Sequence, residues 1–113
     1  MTGLLMRAQW RSIACALLAL LAGCGVGIAG AAVRVTIADL VFSPADITVK
    51  AGDTVEWVNN DFVDHTATAK NGAWDVMIPA GKSAHLKMTK VGTFTYFCRV
   101  HPDMVGTIRV TNN

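Results

Sequence analysis

Near the end of the chain stands Cys98-Arg99-Val100-His101-Pro102-Asp103-Met104. Three donors recur there at intervals of three residues: a thiol, an imidazole and a thioether. A loop of that length can fold all three toward one point. His65, far upstream at the start of His65-Thr66-Ala67-Thr68, offers a second imidazole. Thiolate and thioether are soft ligands that favour copper(I), and imidazole suits copper in both oxidation states. Zinc takes cysteine and histidine but seldom methionine. Two imidazoles and a thiolate in a plane, with a weak axial thioether, form the donor set of an electron-transfer copper site. Taken singly these residues say little. A methionine is usually core, and an isolated histidine usually lies at the surface. The reading rests on their combination within seven residues, together with the upstream histidine.

The other cysteines, Cys15 and Cys24, fall in the N-terminal segment. Arg7 and Arg11 precede 22 uncharged residues, Ser12 to Val33, with an apolar run from Ile13 to Ala22. That order is an export signal. Two processing sites compete within it. Leu21-Ala22-Gly23-Cys24 is similar to a bacterial lipobox, which would leave lipidated Cys24 as the first mature residue and attach the protein to a membrane. Ala29-Gly30-Ala31 is an A-x-A site that would release a soluble periplasmic protein. A retained membrane span is the third reading, weakened by Gly23, Gly25, Gly27 and Gly30. All three place the folded part outside the cytoplasm. The expected division is therefore residues 1–31 as export signal and residues 32–113 as one folded domain. That domain holds a single thiol, Cys98, and cannot close a disulfide on itself.

Both basic residues of the signal count toward the formal +2 of the whole chain. The remaining eight basic residues match eight acidic ones, so the domain is formally neutral. A nucleic-acid binder needs a basic face, and this domain lacks the surplus. Hydrophobic residues make up 52% of the chain, which excludes a disordered protein. Only 82 residues are left to build a core, so a bound metal would be a useful staple.

The elements that must position the donors read as short strands. Val33, Val35 and Ile37 alternate with polar residues, as do Ile47 with Val49, Val55 with Trp57 and Asn59, and Ala84 with Leu86 and Met88. Phe94, Tyr96 and Cys98 continue the pattern, and Val105, Ile108 and Val110 lie on a last strand. Turns fall at Ser43-Pro44, Gly52-Asp53, Asn71-Gly72, Pro79-Ala80-Gly81, Val91-Gly92 and Pro102-Asp103. Short strands and turns at this length predict an all-β sandwich or barrel, with no helix beyond the signal.

Ala32–Asn113 resembles the cupredoxins of the plastocyanin and amicyanin type. The resemblance is carried by Thr36 to Phe42, Pro44 to Lys50, Gly52 to Asn59 and Gly92 to Cys98. The short Cys-x2-His-x2-Met loop is similar to that of amicyanin. The resemblance implies a Greek-key β-sandwich with one copper ion near one end. It implies His65, Cys98 and His101 as equatorial ligands and Met104 as the axial one. It implies a monomer that is not an enzyme and carries single electrons between redox proteins, such as a dehydrogenase, cytochrome, oxidase or reductase.

The chain departs from that family at three positions. Relatives often carry Asn after the first histidine, tying the two ligand segments together; here Thr66 stands there, and its hydroxyl could take over. Arg99 and Val100 replace the usual Ser or Thr and Pro between Cys98 and His101. Pro102 stiffens the loop. Val100, Pro102 and Val105 could frame an exposed edge of His101 as an apolar docking patch, or simply pack the loop.

Other residues attract weaker readings. His85 falls on the polar face of its strand. Met77 could pack near the site or bind copper secondarily. Trp57 belongs to the core and Trp74 to a turn-rich, partly exposed segment. Asp61 and Asp64 flank His65, where loop solvation explains them as well as any influence on a metal. Three rival functions remain: a copper-handling chaperone or resistance factor, a structural β-module without metal, and a copper enzyme. Handling proteins tend to be Met- or His-rich, and copper enzymes need a further His–Cys cluster that the sequence lacks.

Overall fold

A computed structural model describes residues 30–112. The export-signal reading, with Cys15, Cys24 and the Leu21-Ala22-Gly23-Cys24 motif, lies outside these residues. The described residues form nine strands and no helix. They are β1 (Ala32–Ala38), β2 (Val41–Ser43), β3 (Asp46–Lys50), β4 (Thr54–Asn59), β5 (His65–Ala69), β6 (Asp75–Ile78), β7 (Ser83–Lys87), β8 (Gly92–Phe97) and β9 (Val105–Thr111). One sheet has the order β2-β1-β4-β7 and the other β3-β9-β8-β5-β6. The chain passes repeatedly between them. That leaves β1 parallel to β4 and β3 parallel to β9, with the other pairs antiparallel. This is the expected all-β sandwich.

The period of two does most of the folding. Val35 and Ile37 of β1, Val55 and Trp57 of β4, Phe94 and Tyr96 of β8, and Ile108 and Val110 of β9 all face one core. Tyr96 is its hub. Its ring lies 4.7 Å from Phe42, 5.5 Å from Trp74 and 5.8 Å from Trp57. Trp57 Nε1 donates to the Tyr96 hydroxyl at 3.2 Å. Gly106 makes room for this ring, since a Cβ there would sit 2.6 Å from Tyr96 Cζ. The inward face of β9 therefore carries Gly106, Ile108 and Val110. Val105 begins the strand as expected but points outward and is exposed.

Strands β2 and β6 were not legible in the sequence. Each is only three or four residues long and lies at a sheet edge. Between β1 and β2, Asp39 and Leu40 both adopt left-handed backbone, with φ of 52° and 62°. Such a pair matches the right-handed twist of a hairpin, but for Leu40 it costs roughly 1 kcal/mol. The Asp61 carboxylate offsets that cost by accepting both turn N–H groups, at 2.8 and 3.0 Å. Asn59, buried at the end of β4, shapes the next loop. Its amide donates to the carbonyls of Val63 and Ile78, and its oxygen accepts from the Asp61 N–H. That loop delivers the chain to His65 at the start of β5.

Candidate metal centre

His65 opens β5, Cys98 follows the end of β8, and His101 lies in the loop before β9. All three therefore meet at one end of the sandwich. Cys98 Sγ lies 3.6 Å from His65 Nδ1 and 3.9 Å from His101 Nδ1. The three donor atoms fall within 4.8 Å of one another. Among the described residues no other group of three His, Cys, Asp or Glu side chains converges in this way. A metal bound at about 2.0 Å from nitrogen and about 2.3 Å from sulfur at trigonal angles would hold sulfur and nitrogen about 3.7 Å apart. The observed separations fit that ion, and the soft sulfur fits copper.

Each donor is held from behind. His65 is fully buried, and its Nε2 lies 2.8 Å from Asp61 Oδ2. A carboxylate only accepts, so the Nε2–H donates to Asp61, which leaves Nδ1 as the nitrogen that faces Cys98. Burial alone would raise the Asp61 pKa. The N–H of Leu40, His65 and the N–H of Asp39 together hold it below its ordinary value. Asp61 is thus more than a solvated loop residue. Its role escaped sequence reasoning because the Asp39-Leu40 turn reaches it only through the pairing of β1 with β4.

Cys98 is also fully buried, and the Thr66 N–H donates to its sulfur at 3.3 Å. Burial is the largest influence on the thiol and opposes ionisation. It is outweighed by the Thr66 N–H, the imidazoles of His101 and His65, and the His101 backbone, which bring the pKa down to about 6. At neutral pH the sulfur is a thiolate, the form that binds metal. The loop is closed by the Cys98 N–H on the Met104 carbonyl, 3.1 Å, and the Met104 N–H on the His101 carbonyl, 2.9 Å. Met104 is 4% exposed and belongs to the core cluster that includes Cys98.

Thr66 takes over the tie that the sequence left open, since the Arg99 N–H donates to its hydroxyl at 2.9 Å. Leu40, Val100, His101, Pro102, Asp103 and Met104 line a surface cleft of about 340 Å³. Val105 is not among them. Leu40, brought from the β1–β2 turn, adds an apolar wall that the sequence reading did not include. Of the weaker candidates, Met77 is exposed on β6, and His85 lies at the surface with Nε2 3.1 Å from Glu56 Oε2. Asp64 accepts the Ala80 N–H at 2.9 Å, a loop role.

A two-sheet sandwich with a buried Cys–His pair and a second histidine at its end defines a class. The chain belongs to the cupredoxin-like domain family, whose family model matches residues 11–110. It is 38% identical over 85 residues to a plastocyanin of Scenedesmus fuscus, covering 63% of this chain and 87% of that protein. It is 31% identical over 85 residues to an amicyanin of Paracoccus versutus, covering 70% of this chain and 64% of that protein. The crystal structure of amicyanin from Paracoccus versutus superposes with a TM-score of 0.62 at 32% identity, covering 70% of this chain and 80% of that one. The donor set and the family agree on the cofactor, which is one copper ion.

Proposed function

We propose that this chain is an exported blue-copper electron carrier. His65, Cys98 and His101 would hold the ion in a plane, and Met104 would supply the weak axial donor. The observation that carries this reading is the convergence of one thiolate and two imidazole nitrogens, at 3.6 and 3.9 Å, inside a closed end of the sandwich. Copper, when bound there, supplies a one-electron couple. The protein supplies the rest. Asp61 and Thr66 hold two donors in place whichever oxidation state is present, so little has to move. Leu40, Val100 and Pro102 surround His101 at the surface cleft and offer a small apolar contact for a weak redox encounter. A fourth protein donor leaves no open position for substrate, which supports a carrier over an enzyme.

The redox partners belong to the class of dehydrogenases, cytochromes, oxidases and reductases, met by a monomer. A copper-handling role is the second reading. Handing copper on needs exposed ligands, and both His65 and Cys98 are 0% exposed, which favours the carrier. Voltammetry of the copper-loaded protein tests the choice. A reversible one-electron wave supports the carrier, and tight copper uptake without one would point to handling.

Export is read from residues 1–31, with residues 32–113 as the copper domain. Two contacts bear on where the signal is cut. The Ala31 N–H donates to Asp53 at 2.9 Å, and its carbonyl accepts from Thr54 at 2.9 Å. A cut after Ala31 would discard both bonds, which favours processing before Cys24 and a lipid anchor. Mass spectrometry of the mature N-terminus decides: lipidated Cys24 is expected, and unmodified Ala32 would contradict it.

A further inference from the structure

Thr66 and Thr68 lie two residues apart on β5 and so leave the same face of their sheet. Their hydroxyl oxygens are 2.9 Å apart. Opposite Thr68 in the β5–β6 register stands Asp75, whose Oδ1 is 2.6 Å from the Thr68 hydroxyl. The Arg99 Nε–H returns to the same carboxylate oxygen at 3.2 Å. Four side chains and one backbone amide therefore close a circuit that begins and ends on Arg99, the neighbour of Cys98.

The circuit has only one direction. An ionised carboxylate accepts and cannot donate, so Thr68 must spend its proton on Asp75. Thr68 then has only lone pairs to offer Thr66, so Thr66 must donate to it. What remains on Thr66 facing Arg99 is a lone pair, and the Arg99 N–H donates into it at 2.9 Å. Thr66 is itself fully buried, and its own N–H reaches the Cys98 sulfur. A threonine hydroxyl left alone could turn either way. Here its orientation is set from the far end of the chain of bonds.

We propose that Thr68 and Asp75 are positioning residues for Cys98, acting through Thr66 and the Arg99 amide. The inference rests on the copper reading of the site. It accounts for how this chain dispenses with an asparagine after His65. Its inner and outer ends are unequal. The Arg99 and Asp75 side chains are 47% and 52% exposed, and an ion pair in that setting contributes little. Thr66 and the Arg99 amide sit deeper, where an unpaired group is costly. The effects should therefore fall in the order Thr66→Val, Thr68→Val, Arg99→Ala.

Hydrogen exchange in the metal-free protein reads the circuit without copper. Thr68→Val keeps the β-branched shape and removes only the hydroxyl, and it should speed exchange at the Arg99 amide about tenfold. Thr68→Ser should restore protection. In the copper-loaded protein Thr68→Val should lower the reduction potential, because a looser Thr66 N–H lets the sulfur donate more to copper(II). Thr66→Val should do both more strongly, and Thr66→Ser neither. Arg99 exchange and potential unchanged in Thr68→Val would overturn the proposal. A wild-type protein that forms no copper–thiolate band would instead sink the copper reading, and metal-free exchange would still judge the circuit.

Discussion

Asp61 holds His65 and the Asp39-Leu40 turn with one carboxylate. Oδ2 lies 2.8 Å from His65 Nε2 and 3.0 Å from the Leu40 N–H, and Oδ1 lies 2.8 Å from the Asp39 N–H. The same residue thus fixes a metal donor and the turn that places Leu40 beside His101. A carboxylate on the far nitrogen makes an imidazole a stronger donor, which favours the more highly charged oxidised ion. Asp61→Asn is expected to raise the reduction potential. It should also cost about 1–3 kcal/mol of stability, because all three N–H donors lose a charged acceptor and at least one of them faces an NH2 group instead of an oxygen. Voltammetry and denaturant unfolding check the two effects, and a lower potential would contradict this role.

The second prediction concerns pH in the metal-free protein. The Cys98 thiol is brought from its ordinary 9.0 down to about 6 in the fold. A group whose folded pKa is depressed stabilises the fold fully above its unfolded value. That contribution is lost as pH falls through the folded value. Metal-free wild type should therefore gain stability relative to Cys98→Ser as pH rises from about 6 toward 9. Denaturant unfolding across this window measures the difference. A difference that stays flat would mean the sulfur is protonated throughout.

Gly106 sets a limit on the core. The Tyr96 ring occupies the space a side chain would need, and Phe42, Trp57 and Trp74 hold that ring in place. Gly106→Ala is expected to destabilise the protein by about 1–3 kcal/mol through overpacking. Thermal unfolding is the measurement. An unchanged melting temperature would show that the ring can shift at no cost.

The meeting of Cys98 with His101 was legible because its chemistry is local. The two share one loop, and alternation alone turns Phe94, Tyr96 and Cys98 to the same side. What escaped were relationships that exist only after strands pair. Asp61 and Leu40 are far apart in sequence, and the parallel β1–β4 pairing joins them. Val105 stands exposed at the start of β9, and the inward place beside the Tyr96 ring falls to Gly106, which alternation from Ile108 and Val110 does not reveal as a packing position. The Thr66 hydroxyl was visible as a possibility, but its partners Thr68 and Asp75 depend on the register of β5 with β6.

Met104 is expected to tune the site rather than create it. Axial thioether bonds are long and weak, so the planar donors should keep the metal. Met104→Leu should retain copper and raise the potential, since losing a donor disfavours copper(II). Metal analysis with voltammetry checks this. Loss of copper, or a lower potential, would contradict it.

Cys98 as a copper-bound thiolate is the central assignment, and absorption spectroscopy of the copper(II)-loaded protein tests it directly. An intense visible charge-transfer band is expected in the wild type. In Cys98→Ser the band should be absent while the β-sheet circular dichroism remains. A wild-type protein that takes up copper(II) without colour, or a serine variant that keeps the band, would contradict the assignment.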